Sequence, residues 1–273
     1  MKPFLKWAGN KYQIVHRIKE ILPPGKRLIE PFVGSGALFL NTDYQSYLLA
    51  DVNADLISLY AHLQEGGQAF IDNCRAYFVP QNNTEDAFYR LRDCFNTTQN
   101  PLEKAALFVY LNKHCYNGLC RYNSKGGFNV PFGRYAKPYF PELEMQSFYA
   151  QAQRAQFIVS GFVETMEAAE PGDVVYCDPP YVPLSSTSNF SDYSSVKFRH
   201  KEQEKLAELA VTLAIKGIPV VISNHTTDFT VGAYKNAKID VFDVQRYISC
   251  DGSNRNKVSE LLALFSNSAS STI

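Results

Sequence analysis

Short apolar runs recur along the chain and predict the strands of one sheet. Seven runs of four to six residues have this character: 27–30, 47–50, 157–160, 174–177, 218–223, 240–244 and 261–265. Continuous apolar runs, rather than alternating ones, are typical of parallel strands that are buried on both faces. Residues 201–215 instead repeat apolar side chains at the spacing of a helix. The alternation of strands and helices predicts a doubly wound α/β fold.

A glycine-containing loop joins the first two runs, and an acid ends the second. The loop is PFVGSG at 31–36, a helix is expected to begin at 37–41, and Asp51 closes the next run. This order of strand, glycine loop, helix, strand and acid is typical of nucleotide-binding sheets. The full dinucleotide pattern GxGxxG is missing because position 39 is Phe, which favours a nucleoside ligand without a pyrophosphate. Taken alone, GSG is more often a tight turn and Asp51 a solvated strand end.

The middle of the chain interrupts this alternation and is predicted to be an inserted module. Apolar side chains recur at helical spacing in 55–63, 85–95 and 101–114, and a hairpin that turns at Lys125-Gly126-Gly127 is predicted in 115–136. The predicted organisation is a catalytic domain in two parts, 1–52 and 146–265, a recognition insert, 53–145, and a Ser-rich tail, 266–273, that is expected to be disordered.

Charge is balanced overall but uneven along the chain. Lys plus Arg and Asp plus Glu number 27 each, which excludes a protein that coats polyanions indiscriminately. The 38 residues between Glu103 and Glu142 nevertheless contain six Lys or Arg, nine Phe or Tyr and no acid. Basic residues interleaved with aromatic ones indicate a surface for nucleic acid. The alternative is a basic helical face over a small aromatic core.

Cysteine, histidine and hydropathy patterns add further expectations. The six cysteines form no CxxC pair, so reduced thiols and a cytoplasmic location are expected. No apolar run approaches the roughly 20 residues of a membrane span, and the N-terminus has no apolar signal core. The five histidines are scattered, so no metal site is predicted.

Two further motifs carry candidate chemistry. Asp178-Pro179-Pro180-Tyr181 follows a buried run directly, at the strand end where α/β sheets bind ligands. Its carboxylate, carbonyls and aromatic ring suit a planar amino-purine or amino-pyrimidine, although such a sequence alone is more often a rigid turn. Trp7, the only tryptophan, precedes Lys11 in a Gly-containing loop. Trp7 could stack on adenine while Lys11 meets a carboxylate; the alternative is a core tryptophan beside a surface lysine.

Seven motifs follow one another along the chain: FLKWAGNK, LIEPFVGSGALFLN, ADVNADLISLY, YNGLCRYN, FNVPFGRY, VVYCDPPYVPLS and ISNH. In content and order they resemble the Dam-type DNA adenine-N6 methyltransferases, and the similarity extends from about Phe4 to Phe265. Asn10 departs from the pattern, since members usually have Gly there. The segment RYISCDGSNRNK resembles the basic loop of the family only loosely.

The resemblance implies a Rossmann-like, S-adenosylmethionine-dependent methyltransferase sheet with an inserted DNA-recognition domain of helices and a β-hairpin. The residues that it assigns to S-adenosylmethionine are Trp7, Lys11, Phe32, Gly34, Ser35, Gly36, Asp51 and Asp178. Asp178 and the Pro179 carbonyl would hold the adenine N6 amino group, and Tyr181 would stack on the flipped base. The methyl group would pass from the cofactor to N6.

The resemblance also assigns residues to double-stranded DNA: Lys6, Tyr116, Asn117, Leu119, Arg121, Pro131, Arg134 and Tyr135. Arg121 falls where relatives read a guanine edge, Tyr116 where an aromatic ring enters the base stack, and Lys6 at the first base pair. Leu119 and Pro131 fall at apolar contacts to neighbouring bases, and the remaining three would orient and clamp the backbone. These matches imply GATC as the site and a monomer on DNA.

Two alternatives stay open. One is methylation of a different amino group, on cytosine N4 or RNA, against which Asp rather than Ser at position 178 argues. The other is a DNA-binding regulator that has kept the fold and lost catalysis.

Overall fold

All seven predicted strands lie in one sheet. The computed structural model describes residues 1–182, 198–245 and 257–267. The strands are β1 (Arg27–Glu30), β2 (Ser46–Asp51), β3 (Ala155–Val159), β4 (Asp173–Cys177), β5 (Val220–His225), β6 (Lys238–Gln245) and β7 (Lys257–Phe265). Strands β4 and β5 are buried along their whole length, as continuous apolar runs predict. The predicted α/β fold is confirmed.

The strand order places four strand ends at one edge of the sheet. The order is β3-β2-β1-β4-β5-β7-β6, in which β1 to β5 are parallel and β7 is antiparallel to both of its neighbours. The chain leaves β1 towards β2 and β3 and later returns to β4 on the other side of β1. Open α/β sheets bind ligands at such a reversal, outside the carboxyl ends of the strands. The loops after β1, β2, β4 and β5 are therefore positioned for a ligand.

Eight α-helices are present in the part of the chain that the structure describes. They are α1 (Val15–Ile21), α2 (Ala54–Arg75), α3 (Glu85–Thr97), α4 (Pro101–His114), α5 (Glu142–Ala152), α6 (Phe162–Glu167), α7 (His200–Ile215) and α8 (Asp228–Ala233). Asn53, Thr84 and Asn100 begin α2, α3 and α4 by accepting hydrogen bonds from backbone N–H groups of the first turn. The four longer predicted helices are confirmed, and α2 continues beyond its predicted end, through a break at Gly67.

The helix expected at 37–41 is wrong. Only Phe39–Asn41 form a turn, and it is of the 3₁₀ type. The Asn41 N–H bonds to the Leu38 carbonyl, three residues earlier. The Asn41 side-chain amide takes the Ala37 carbonyl, which an α-helix would offer to a backbone N–H. The first crossover is therefore a tight loop, and no α-helix N-terminus faces the ligand edge there.

The predicted hairpin folds back on itself, but its two arms do not form a regular ladder of β-sheet hydrogen bonds. Isolated antiparallel bridges join Cys115 to Phe132 and Tyr122 to Phe128. Asn96 of α3 bonds both the N–H and the carbonyl of Phe128, which a ladder would otherwise pair. Side-chain bonds thus replace part of the expected strand pairing. The proposed limits of the insert stay a prediction, since α2 contacts β2 and β3 as well as α4 and α5.

The core lies in two layers, one on each face of the sheet. Leu28 of β1 and Leu49 of β2 face the layer that contains residues of α2 and α5, whereas Ile29 and Val175 face the layer under α7. Among the described residues no helix is long and apolar enough to cross a membrane. The cysteines in this part of the chain carry free thiols, and no group of three or more potential metal ligands occurs within it.

An aromatic cluster joins four parts of the chain around α5. The buried ring of Phe148 lies 4.6 to 5.9 Å from the rings of Phe4, Phe39, Tyr60 and Phe157. These partners come from the N-terminal segment, the loop after β1, α2 and β3. Aromatic pairs of this kind add about 0.5–1.5 kcal/mol each beyond the burial of their area. The cluster therefore fixes the N-terminal segment, which carries Trp7 and Lys11, against the sheet.

We expect Phe148→Ala to lower the free energy of unfolding by about 3–5 kcal/mol, because a large buried ring leaves a cavity between rigid elements. Leu143→Ala, in the same helix, is the matched control, since Leu143 is 70% exposed. It should change stability by less than about 0.5 kcal/mol. Denaturant unfolding of both variants measures the difference, and similar values would contradict the assigned role of the cluster.

Candidate active site and DNA-facing surface

An ion pair joins the N-terminal segment to the loop after β4. Lys11 Nζ lies 2.9 Å from Asp178 Oδ1, with side chains 8% and 22% exposed respectively. The same ammonium donates to the Gly9 carbonyl at 2.6 Å and lies 4.3 Å from the centre of the Tyr181 ring. Burial raises the pKa of the Asp178 carboxyl, and the Lys11 charge and hydrogen bonds oppose that rise. The predicted residues Lys11, Asp178 and Tyr181 are thus in direct contact.

Asn10, the departure from the family pattern, has a local structural role. Its side-chain oxygen accepts the Tyr12 N–H at 2.8 Å and caps the short 3₁₀ helix Lys11–Ile14. This bond fixes the turn from which the Lys11 side chain extends to Asp178. The residue that replaces Gly therefore supports the placement of the lysine.

A second group of predicted residues meets at the glycine loop. Gly34 has φ +47°, and a Cβ built there would lie 2.9 Å from Trp7 Nε1, so the indole packs directly on the loop backbone. Asp51 accepts the Gly34 N–H at 3.2 Å and the Asn53 N–H at 2.9 Å. Burial raises the pKa of the Asp51 carboxyl, and these two N–H groups oppose the rise. Trp7, Gly34 and Asp51 therefore form one wall.

Three further residues assigned to the cofactor, Phe32, Ser35 and Gly36, belong to the same loop, but each has different neighbours. Ser35 is buried, and the Gly36 N–H closes a turn onto the Val33 carbonyl at 2.8 Å. Phe32 packs on Phe162 and Phe198, with ring centres 5.7 and 5.6 Å away. Phe32 is thus placed in an aromatic group formed with α6 and the residues just before α7.

Two polar residues at this edge were not singled out from the sequence. Ser223, at the end of β5, donates to Asp178 Oδ1 at 3.0 Å and receives a hydrogen bond from Tyr176. Glu30, at the end of β1, is buried, and its Oε1 has no hydrogen-bond partner among the described residues. Burial and the nearby Asp178 charge raise the Glu30 pKa to about 8, although a backbone bond from Phe39 opposes them. Both residues belong to motifs named above. Their positions in the second halves of predicted strands could have indicated that they lie near the ligand-binding edge.

Several residues assigned to DNA meet around the N-terminal segment. Tyr116 is 53% exposed, and the Asn117 N–H donates to the Tyr135 hydroxyl at 2.9 Å. Lys6 Nζ lies 4.1 Å from the centre of the Tyr135 ring. The buried Asn112 side chain bonds both backbone groups of Lys6 and also donates to the Gly118 carbonyl. Lys6 is therefore fixed beside the loop that follows α4.

The remaining DNA-assigned residues are held in different ways. Arg121 donates to the side chain and the carbonyl of Asn129, at 2.8 and 3.2 Å. The carbonyl of the exposed Pro131 accepts the Tyr116 N–H at 2.8 Å. Leu119 packs against the core. The structure thus brings Pro131 and Tyr116 together, whereas Arg121 is held separately by Asn129.

The stretch between Glu103 and Glu142 contains no acidic residue, but acidic side chains from elsewhere in the chain pair with some of its basic residues. Arg134 pairs with Glu85 of α3 through two hydrogen bonds, at 3.1 and 3.0 Å, and Lys104 Nζ lies 2.8 Å from Asp55. Lys113 is buried, which lowers its pKa to about 8. Only part of the six-residue basic set is therefore available as unpaired surface charge.

The sheet order is that of the doubly wound α/β class, and Asp51 and Asp178 lie at or next to strand ends, where such sheets bind ligands. A family model described as D12 class N6 adenine-specific DNA methyltransferase matches residues 7–248. The chain therefore belongs to the D12 class of N6 adenine-specific DNA methyltransferases. It is an enzyme that methylates adenine N6 in DNA, and the resemblance identified from the motifs is confirmed.

Curated relatives agree with this family over nearly the whole chain. The DNA adenine methylase of Escherichia coli (strain K12) is 50% identical over 264 residues, which cover 97% of this chain and 95% of its own length. The DNA adenine methylase of Serratia marcescens is 50% identical over 265 residues, with 97% and 98% covered. Among solved structures, the rRNA methyltransferase aviRa from Streptomyces viridochromogenes has 11% identity over 97% of this chain and 90% of its own, with a TM-score of 0.38. That structural similarity is too low to support an argument.

The carboxyl group of Glu30 should make stability depend on pH. Its pKa is about 8 in the folded protein against an ordinary value of 4.5. Between these values the unfolded chain releases the proton and the folded chain keeps it, so stability falls as pH rises. The fall is about 1.4 kcal/mol per pH unit at most. The contribution of Glu30 to the free energy of unfolding is at its maximum below about pH 4.5.

We therefore expect the stability of Glu30→Gln, relative to that of the natural protein, to increase steadily from about pH 5 to about pH 7.5. Denaturant unfolding of both proteins at a series of pH values measures this difference. A difference that is independent of pH, or that decreases with pH, would show that Glu30 is ionised in the folded state.

Gly118 should tolerate no side chain, because a Cβ there would overlap Lys6 Cβ and Cδ. Gly126 provides a matched control: it also has a positive φ, +78° against +64°, but a Cβ there would meet nothing within 4 Å. Both alanine variants carry a similar backbone strain of about 1–2 kcal/mol. We expect Gly118→Ala to cost at least about 2 kcal/mol more, because Lys6 must move. Equal costs in thermal or denaturant unfolding would contradict the close packing of these segments.

Proposed function

We propose that the protein transfers a methyl group from S-adenosylmethionine to adenine N6 in double-stranded GATC, after flipping the adenine out of the duplex. The observation that carries the proposal is the Lys11–Asp178 pair. Lys11 belongs to the N-terminal segment that also carries Trp7, which packs on the glycine loop, and Lys6, which is held by Asn112 of α4. A carboxylate at this strand end, beside Pro179 and Tyr181, suits the amino group and ring of an adenine.

The residues present fit S-adenosylmethionine. Asp51 is held by backbone N–H groups at the end of β2, where an acid can accept ribose hydroxyls. Trp7 packs on Gly34 and offers an aromatic wall. The buried Glu30 oxygen without a described partner leaves a hydrogen-bonding position for a polar group of the ligand. When bound, the cofactor supplies a methyl group on a sulfonium, which is a strong electrophile.

The protein's own part in the reaction is to orient and polarise the nucleophile. The amino lone pair of adenine is delocalised into the ring, so acceptors must hold the N–H bonds while nitrogen attacks. Asp178 and the Pro179 carbonyl provide two acceptors. Lys11 and Ser223 hold Asp178 in place and oppose the rise in its pKa that burial causes. Positive charge that develops on N6 then lies beside a carboxylate, which favours the transition state over the ground state.

A covalent enzyme intermediate is not part of this mechanism. Cys177 precedes Asp178, but it is fully buried at the end of β4. Burial raises the pKa of its thiol far above the ordinary value, so a thiolate nucleophile is disfavoured.

Recognition of GATC is assigned to the surface around α4 and the loops that follow it. Arg121 is anchored on Asn129 by two of its donors, and the guanidinium retains further N–H groups for a guanine edge. The exposed ring of Tyr116 is suited to enter the base stack and lower the cost of flipping. Arg134 would exchange Glu85 for a phosphate at small cost, because side chains that are 73% and 45% exposed form a weak pair.

The same proposal includes a monomer that acts on DNA in the cytoplasm. All of the residues assigned to DNA come from one chain, and free thiols are typical of a reducing compartment. Residues 246–256 of the loose match RYISCDGSNRNK, residues 183–185 of the VPLS sequence, and residues 268–273 of the Ser-rich tail lie outside the described residues.

We expect the purified protein to methylate a GATC duplex and to leave duplexes with one altered base unmodified. Asp178→Ala should reduce the methyl-transfer rate by about 10³-fold or more, because it removes an acceptor aligned with the transition state. Duplex affinity should change little. Lys201→Ala, an exposed site on α7, is the matched control and should keep full activity.

Digestion of the product and mass analysis of its nucleosides tests the alternatives. N6-methyladenine at GATC supports the proposal, whereas methylated cytosine or a different site would contradict it. A protein that binds duplex DNA but not S-adenosylmethionine in calorimetry would be an inactive relative.

A further inference from the structure

A buried polar network lies behind the loop that carries Asp178. Its members are Gln203 of α7, Asn224 of β5 and Tyr234, which follows α8, and each is at most 1% exposed. None of them reaches the ion pair with Lys11 directly. Buried polar groups are costly unless all of their hydrogen bonds are made, so a network in this position calls for a specific role.

The hydrogen bonds of the network are fully determined. Gln203 Nε2 donates to the Pro180 carbonyl at 2.8 Å, while Gln203 Oε1 accepts from Asn224 Nδ2 at 3.0 Å and from the Tyr234 hydroxyl at 3.1 Å. Asn224 Oδ1 accepts the Val182 N–H at 3.2 Å and the His225 N–H at 2.9 Å. Reversal of either amide would place like groups against each other, so the network assigns both orientations.

The network supplies hydrogen bonds to the segment from Pro179 to Val182, which has few backbone donors of its own. Pro179 and Pro180 lack N–H groups, so this part of the loop has no backbone donors with which to bond its surroundings. Gln203 supplies a donor to the Pro180 carbonyl, and Asn224 supplies an acceptor to the Val182 N–H. The Val182 carbonyl is also occupied, by His225 Nδ1 at 2.9 Å.

The Pro179 carbonyl differs from the other carbonyls of this loop in its hydrogen bonding. The Pro179 carbonyl accepts no hydrogen bond from any residue that the structure describes, whereas the next carbonyl, that of Pro180, is bonded to Gln203. The bond to Pro180 restrains the peptide plane that follows it. Because the ring of Pro180 fixes φ, only the ψ angle of Pro180 separates this plane from the peptide plane that contains the Pro179 carbonyl.

We propose that Gln203 and Asn224, completed by Tyr234, are positioning residues for methyl transfer that keep the Pro179 carbonyl directed at the adenine amino group. The proposal rests on the proposed function, in which Pro179 is one of two acceptors for that group. A displacement of about 1 Å in a group aligned with a reacting atom can reduce the rate about 100-fold. Loss of the network should therefore slow the chemical step and leave binding intact.

The first test is Gln203→Met, which keeps the length of the side chain and removes the donor to Pro180. With saturating S-adenosylmethionine and GATC duplex, we expect the single-turnover rate to fall about 10- to 100-fold. The dissociation constants for cofactor and duplex should each change less than about threefold. Tyr234→Phe leaves Gln203 Oε1 its bond from Asn224, so its rate should fall less than about threefold.

A second pair of variants separates positioning from general stability. Gln203→Leu also removes the donor to the Pro180 carbonyl and carries no group that could replace it, so it should lose rate as Gln203→Met does. Leu213→Ala removes buried apolar contacts of the same helix, away from the loop. It should lower the unfolding temperature and leave the single-turnover rate within about twofold of the natural protein.

The outcomes are distinct. If both Gln203 variants keep the natural single-turnover rate, or if they lose cofactor and duplex affinity in parallel with rate, the inference is overturned and the proposed function stands. A rate loss in Leu213→Ala equal to that of the Gln203 variants would overturn it as well. If the natural protein itself forms no N6-methyladenine in GATC, the proposed function fails, and the inference fails with it, before any variant is compared. Should Gln203→Met not fold, Gln203→Leu carries the test.

Discussion

The parallel alignment of β1 with its two neighbours is the constraint on which the site depends. It brings the carboxyl ends of β1, β2 and β4 to one edge, so residues distant in sequence, such as Gly34, Asp51 and Asp178, lie at the same edge of the sheet. Strand β1 has only four residues, and its register needs further support. Arg27 and Asp173, paired across β1 and β4 at 2.6 and 3.0 Å, provide it at the opposite ends of these strands. A shift of one residue would break this pair and turn the buried side chains to the wrong faces.

Three buried carboxyl groups at this edge differ because their surroundings differ. Burial raises the pKa of Glu30, Asp51 and Asp178 alike. Asp178 has a lysine at 2.9 Å, Asp51 has two backbone N–H groups, and Glu30 has a single backbone bond to offset burial. These partners oppose the effect of burial to different extents, and the pKa of Glu30 rises to about 8. The protein thus gives its carboxyl groups different acidities through their partners.

Local sequence predicted the strands well because strands buried on both faces need continuous apolar runs, and runs of four to six residues are too short for a helix that is buried all around, such as α4. It failed at 37–41, where the Asn41 side chain competes with the backbone for a carbonyl and stops an α-helix. A linear charge pattern also does not show ion pairs that form on folding, such as that of Arg134 with Glu85, 49 positions away in the sequence. The DPPY motif predicted Asp178 at the end of a strand, whereas the hydrogen bond from Ser223 depends on the pairing of β4 with β5, which only the folded sheet reveals.

Under the proposed function, the beginning of α2 would keep base reading and cofactor binding in register. Asp51 accepts the Gly34 N–H of the glycine loop, and Asn53, two residues later, caps α2 and donates to Cys120 Sγ at 3.5 Å. In the first turn of α2, Asp55 accepts the Tyr122 hydroxyl at 2.8 Å. Cys120 and Tyr122 flank the arginine assigned to guanine, so the same helix start holds the recognition segment and the cofactor-side carboxylate. Because these bonds join the two surfaces at a rigid element, the distance between them is set by the fold and does not depend on the path of the surrounding loops.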